Sequence, residues 1–130
     1  MGRTASNLFV TLIRTHHITS RKKLQRVKKA AEQCAVPYVL VRSGGSPGIM
    51  YAESPDEGRI TEWVGTVQSL RYKDFQCARK PSRSRVEVDE QSKHPVFNEV
   101  ESVAAFGEAM DRKGLSEWWK VGMGYDAGNR

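Results

Sequence analysis

The apolar positions of this chain switch between two periods, and each switch marks an element. Leu8 to Arg14 alternates, with Leu8, Val10 and Leu12 on one side and Phe9, Thr11 and Ile13 on the other, which predicts a central strand. After Thr19 or Ser20 as a cap, Leu24, Val27, Ala31 and Cys34 recur at helical spacing, and Pro37 closes the segment. Tyr38–Arg42 and Ile49–Glu53 return to strand character around Ser43-Gly44-Gly45-Ser46-Pro47-Gly48, a turn that predicts a hairpin. Ser54-Pro55-Asp56-Glu57 combines a capping serine, a proline at the first helical position and a glutamate three residues after the serine. A second helix follows, with Ile60, Trp63, Val64 and Val67 as its stripe, and Leu70–Ala78 reads as a further strand.

The order βαββαβ through residue 78 predicts an α+β, ferredoxin-like domain: an antiparallel sheet with two helices on one face. Residues 79–95 hold little apolar character besides Val86 and Val88 and are expected to be a mobile loop. Ser102 can then cap a helix carrying Val103, Phe106 and Met110, stopped by Gly114, and Leu115–Met123 forms a last helix with Trp118 and Trp119. One domain over residues 8–123, with a C-terminal helical extension at 102–123 and flexible ends at 1–7 and 124–130, accounts for the chain.

Charge changes the picture by being local. The net charge is +6, yet residues 1–51 hold nine Lys or Arg against a single acid, Glu32. Such a field attracts nucleic acid, acidic lipid or an acidic protein. Arg21, Lys22 and Lys23 open the first helix, where cations oppose the helix dipole and an anionic partner is favoured. No apolar run approaches the roughly 18 residues of a membrane span, and the N-terminus has no secretory apolar core. An intracellular protein, nuclear or cytoplasmic, without membrane attachment is expected. Cys34 and Cys77 lack a Cys-x-x-Cys partner for zinc and are expected as free thiols, and no cofactor is indicated.

Several segments together resemble a known family. They are Thr15-His16-His17-Ile18-Thr19-Ser20, then Gly45-Ser46-Pro47-Gly48-Ile49-Met50-Tyr51-Ala52-Glu53, Leu70-Arg71-Tyr72-Lys73, and Phe97 to Trp119. In this order they are similar to the C-terminal domain of the spliceosomal pre-mRNA-processing factor three, a domain that also follows the RWD domain in RWD-domain-containing proteins. A His-His-Ile segment precedes the first helix, a Pro-Gly turn leads into the strand ending near Glu, and a Leu-x-aromatic-Lys follows the second helix. The resemblance implies a ferredoxin-like fold, small nuclear RNA as ligand, ribonucleoprotein partners and a role in mRNA splicing. It marks no catalytic motif.

The residues themselves offer three constellations. Lys22, Arg26 and Lys29 lie opposite the apolar stripe of the first helix, flanked by Arg21, Lys23 and Lys28. They can span several phosphates or simply form a solvated face. His16, His17, Arg71 and Lys73 are secondary candidates for RNA contact. Phe9 and Tyr51 are the aromatics of the first and third strands and can stack bases if they share an open sheet face, with Arg42 and Lys73 near its edges. The alternative is that the C-terminal helices cover that face. His17-Ile18-Thr19 reads as half of a two-histidine phosphoesterase, but His94-Pro95-Val96 does not supply the second half, so no enzyme is expected. A non-catalytic RNA-binding or ribonucleoprotein-associated module is the leading expectation. A protein-interaction adaptor, using the C-terminal helices or a sheet edge, is the alternative.

Overall fold

The computed structural model describes residues 3–89 and 96–125. Over these residues the chain runs β1 (Arg3–Thr15), α1 (Arg21–Gln33), β2 (Tyr38–Arg42), β3 (Gly48–Ser54), α2 (Glu57–Ser69), β4 (Gln76–Asp89), β5 (Val96–Val100), α3 (Val103–Arg112) and α4 (Ser116–Met123). The strands form one sheet in the order β4-β1-β3-β2-β5. The first four make the antiparallel ferredoxin-like sheet, and β5 adds a parallel strand beside β2.

Alternation along the central strands divides their side chains between two cores. Ile13, Val39, Val41, Met50 and Ala52 face α1 and α2, where Leu24, Val27, Ala31, Ile60, Trp63 and Val67 cover them. Val10, Leu12, Leu40, Ile49 and Tyr51 face α3 and α4, under Phe106, Met110, Leu115, Trp119 and Met123. The sheet is therefore the middle of three layers. Close approach of α4 depends on Gly122, whose place leaves 2.7 Å between a Cβ and the Leu12 side chain.

Main-chain pairing corrects two expectations. Residues 79–89 are not a mobile loop: they continue β4, which pairs with β1 from Arg3↔Asp89 to Arg14↔Gln76. The same ladder orders residues 3–7, expected to be a flexible end. Hydrogen bonding between strands needs no particular side chain, so a run poor in apolar residues can join an edge once its partner is fixed. Residues 90–95, the rest of the expected loop, lie outside the described residues, as do 1–2 and 126–130 of the two expected flexible ends. Shifts of register between Val10 and Leu12 and between Leu12 and Ile13 take up extra β4 residues near Pro81 and Ala78. The strand expected at Leu70–Ala78 begins only at Gln76, because Arg71 and Asp74 take positive φ in the turn before it. The α2 cap is Asp56, whose carboxylate accepts the Arg59 N–H at 3.2 Å, while Ser54 Oγ accepts the N–H of Asp56 itself.

A buried polar cluster joins the C-terminal layer to the sheet. Glu53 is 3% exposed, and its Oε1 lies 3.0 Å from Lys113 Nζ in the turn between α3 and α4. Tyr51 donates its hydroxyl to the same oxygen at 2.6 Å. The Lys113 ammonium also sits 3.9 Å from the Tyr38 ring centroid. Burial and the neighbouring carboxylate push the Tyr51 phenol well above its ordinary pKa, so it stays a donor. Removing one partner of a buried pair leaves a charge without compensation. Lys113→Met is thus expected to lower stability by about 3–5 kcal/mol in urea unfolding, with much of the loss recovered in the Glu53→Gln/Lys113→Met double variant. Additive losses would show that the two groups are not coupled.

Candidate nucleic-acid interface

The first helix forms where its stripe meets the sheet, and that placement decides which cations remain outside. Leu24, Val27, Ala30 and Ala31 are buried, so Lys22, Gln25, Arg26, Lys28, Lys29 and Glu32 are left exposed. Among the described residues, the side chains of Lys22, Arg26, Lys28 and Lys29 make no ion pair or hydrogen bond. Gln25, Arg26, Lys28, Lys29 and Glu32 line a shallow depression of about 320 Å³ on this outer face. The helix has no acid in its first turn, and Ser20 supplies the cap by accepting the Lys23 N–H at 3.1 Å.

Two of the expected phosphate ligands are already engaged. Arg21 donates to both carboxylate oxygens of Glu99 on β5, at 2.6 and 3.1 Å. Ser43 Oγ donates to the same carboxylate at 2.5 Å. These bonds hold the Glu99 carboxyl below the usual range, the Arg21 bond having the larger effect and the Ser43 bond the next. Part of the anionic demand at this helix start is thus met from within the chain. Lys23 donates to the Arg71 carbonyl at 3.3 Å and lies 5.1 Å from the Tyr72 ring centroid. The Tyr72 phenol itself is pushed up to about 12 by burial.

The remaining candidates gather at the same end of the sheet. The His16 N–H donates to the Lys73 carbonyl at 2.8 Å, which ties the loop after β1 to the turn before β4. His16 Nδ1 lies 3.6 Å from Asp74 Oδ2, and its ring contacts that of His17 at 4.8 Å. His16, His17, Arg71 and Lys73 are all exposed. The structure therefore brings His16, His17, Arg71 and Lys73 around one rim, which Lys23 reaches from α1, and Lys22, Arg26 and Lys29 extend the charge along the exposed face of that helix.

Base stacking on the sheet is corrected. Tyr51 is fully buried beneath α3 and α4, and Phe9 faces the opposite side, beside the α1–α2 core. The two rings share no face, because their positions in adjacent antiparallel strands differ by one residue in the alternation: Leu12, not Phe9, stands opposite Tyr51. The Gly44–Gly48 turn closes the β2–β3 hairpin. Its Gly44 N–H goes to the Ile18 carbonyl, and Arg42 reaches from β2 to the Pro47 carbonyl at 3.0 Å. Among the described residues no group of His, Cys, Asp or Glu is arranged to hold a metal, and no helix is long and apolar enough to cross a membrane. His94 lies outside the described residues.

Sequence reasoning had no means of finding Glu99, which stands 78 residues from the arginine it holds. Lys28 was within reach, since it belongs to the same basic run and its exposure follows from the stripe. The basic side chains of β4 sit in a run whose composition matches that of a loop.

No family model and no curated protein matches the chain. Among solved structures it is similar to the crystal structure of acylphosphatase from Bacillus subtilis, at 19% sequence identity and a TM-score of 0.41, over 72% of this chain and 98% of that one.

The Arg21–Glu99 arrangement has a direct readout. In an NMR titration the Glu99 carboxyl is expected to titrate below an ordinary glutamate, and Arg21→Ala to move it upward while Ser43 keeps part of the depression. The folded-state pKa being depressed, the contribution to stability is present above the unfolded value of about 4.3 and is lost as pH falls through the folded value. An unshifted Glu99 would break the assignment.

Proposed function

We propose that this chain is a non-catalytic RNA-binding, ribonucleoprotein-associated module that holds phosphates on the outer face of α1. The reading includes an intracellular setting and the kind of role filled by the C-terminal domain of pre-mRNA-processing factor three, in mRNA splicing. The observation that carries it is the exposed row Lys22, Arg26 and Lys29, free of partners among the described residues and balanced on its own helix only by Glu32. Phosphates along a nucleic-acid strand match such a row, since each contact releases a counterion at little cost in side-chain rearrangement. His16, His17, Arg71 and Lys73 extend the surface around the helix start. Arg21 contributes less than its position implies, because Glu99 competes for it, and Lys23 is partly held by the Arg71 carbonyl.

Fluorescence anisotropy with a labelled RNA hairpin tests this reading. Affinity is expected to fall steeply with salt, and the Lys22→Gln/Arg26→Gln/Lys29→Gln variant to flatten the slope of log K against log salt by roughly 2 to 3 units, near 0.9 for each lost contact. An unchanged slope removes α1 from the interface. Absence of binding at low salt removes the reading altogether.

A second reading, a protein-interaction adaptor, is favoured by β5, whose outer edge pairs with no other strand among the described residues. The Val96 N–H bonds to the Pro37 carbonyl and the Ser43 N–H to that of Val100, so Phe97 and Glu99 turn their main-chain groups outward. The version that uses the tryptophans is weakened because Trp119 is 6% exposed and the partly buried Trp118 packs edge-on to Tyr51. An adaptor of this kind would keep its partner in a pull-down after the α1 substitutions and lose it on Phe97→Pro.

A further inference from the structure

The described sheet ends in β4 on one side and β5 on the other, and the two edges are unlike. On β4 the edge is blunted: Pro81 brings no N–H, and the Glu87 N–H is taken by the Lys113 carbonyl at 3.1 Å. The strand is also strongly basic, with Arg79, Lys80, Arg83 and Arg85 close together. β5 has none of these devices, since Val96–Val100 holds no proline, lysine or arginine. Its ladder to β2 leaves the N–H and C=O of Phe97 and Glu99 on the outer side.

Helix α1 runs alongside this edge and makes a groove with it. Arg21, Gln25, Lys28 and Glu32 recur at helical spacing and form one stripe. Arg21 meets β5 at Glu99, and toward the other end Lys28 and Glu32 share a cavity of about 250 Å³ with Ala31, Val36, Val96 and Phe97. Ala31 and Val36 are buried, Val96 and Phe97 are half-buried, and Lys28 and Glu32 are exposed at the mouth. Phe97 packs against the α1–α2 core, so its side chain lies on the α1 side of the sheet, as does that of Glu99. In a strand added beside β5, the residue opposite Phe97 projects on that same side and meets the cavity. The next residue on that face stands about 6.6 Å farther along the groove.

We propose that the α1–β5 groove binds an extended acidic peptide of another protein, which pairs with β5 and seats one large apolar side chain in this cavity. Main-chain bonds to Phe97 and Glu99 supply general affinity, and the cavity supplies selection. Charge sets the sign of the partner. The Glu99 carboxylate is offset by Arg21, whereas Lys28 at the cavity mouth makes no ion pair or hydrogen bond among the described residues, and Lys22, Arg26 and Lys29 add to its field from the same helix. Glu32 follows Lys28 by one helical turn, which places the partner's acid on the Lys28 side of the cavity, two residues from the apolar anchor. The inference rests on the adaptor reading for its use of the β5 edge, and adds to it the cavity, the anchor and the charge of the partner.

An NMR titration of the full chain with the capped heptapeptide Thr-Glu-Thr-Leu-Thr-Glu-Thr tests this. Saturable shifts of the Lys28, Phe97 and Glu99 amides are expected. Replacing the peptide's leucine by alanine is expected to weaken binding about tenfold or more, the effect of losing three buried carbon atoms. Lys28→Glu in the protein is expected to weaken it by roughly threefold to fivefold. N-methylation separates strand pairing from other contact. Of two peptides, one methylated on the leucine and glutamates and one on the two inner threonines, one is expected to lose binding and the other to stay within about threefold, because alternate residues of an added strand turn their N–H toward β5. Binding that keeps this alternation but ignores the leucine and Lys28 would keep the β5 edge and overturn the groove. Binding that responds alike to both methylated sets would overturn strand addition, and the groove with it. No saturable shift at millimolar peptide would also overturn the groove, and the pull-down with Phe97→Pro then judges the β5 edge by itself. Shifts of Phe97 and Glu99 with an RNA hairpin but not with the peptide would overturn the peptide site in favour of RNA.

Discussion

A carboxylate at the end of β3 fixes how the outer layer can sit. Glu53 is almost wholly withdrawn from water, and a buried charge needs both a counter-charge and hydrogen bonds. Lys113 can reach it only when the α3–α4 turn lies over Tyr38 and Tyr51, and Tyr51 supplies the hydrogen bond from within the sheet. The apolar cluster around Phe106, Met110 and Trp119 supplies the larger burial but specifies position less sharply, since dispersion contacts are individually weak and tolerant of small shifts. The polar cluster supplies register between layers. Once it is made, the face of the sheet opposite α1 and α2 is closed, and any ligand must be met at the rim, on a helix or along an edge.

That closure redistributes the charges of the first half of the chain. In an open ferredoxin-like sheet, aromatic positions on the central strands are available to bases. Here one such ring supports a lysine beneath a helix, and the other lies on the far side with an arginine across it. The cations follow a similar logic. Arg21, at the first position of α1, is held by a carboxylate from the added parallel strand, so β5 both widens the sheet and places a negative charge where the helix dipole favours one. Lys22, Arg26 and Lys29 lie farther around the helix and, among the described residues, stay unengaged.

Periodicity made α1, β2, β3, α2, α3 and α4 legible, because each buries a stripe or alternates between two cores. It failed for the distal part of β4. There Ser82, Arg83, Ser84 and Arg85 resemble a linker, and their order comes from a partner strand more than seventy residues away in sequence. It failed for β5 as well, where five residues include an asparagine and a glutamate and the pairing is parallel to β2. The basic run of α1 was readable in full, including its opposition to the helix dipole. Which of its cations were already occupied was not, because Glu99 and the Arg71 carbonyl reach them through tertiary structure. The sheet face was ambiguous for a related reason: Trp118 and Trp119 demanded burial, but no local pattern stated where.

β1 runs from the rim beside His16 along the length of the sheet, matched by β4 over the whole of its ladder. Between Leu8 and Ile13 its apolar side chains alternate between two cores, with Ile13 on one side and Val10 and Leu12 on the other. It is hydrogen-bonded to β3 and to β4 along opposite edges. Neither helical layer can lose its footing without exposing side chains of a strand that the other still holds. Two cores separated by a sheet therefore behave as one cooperative unit, and a disturbance at either surface is felt through the backbone of a single central strand.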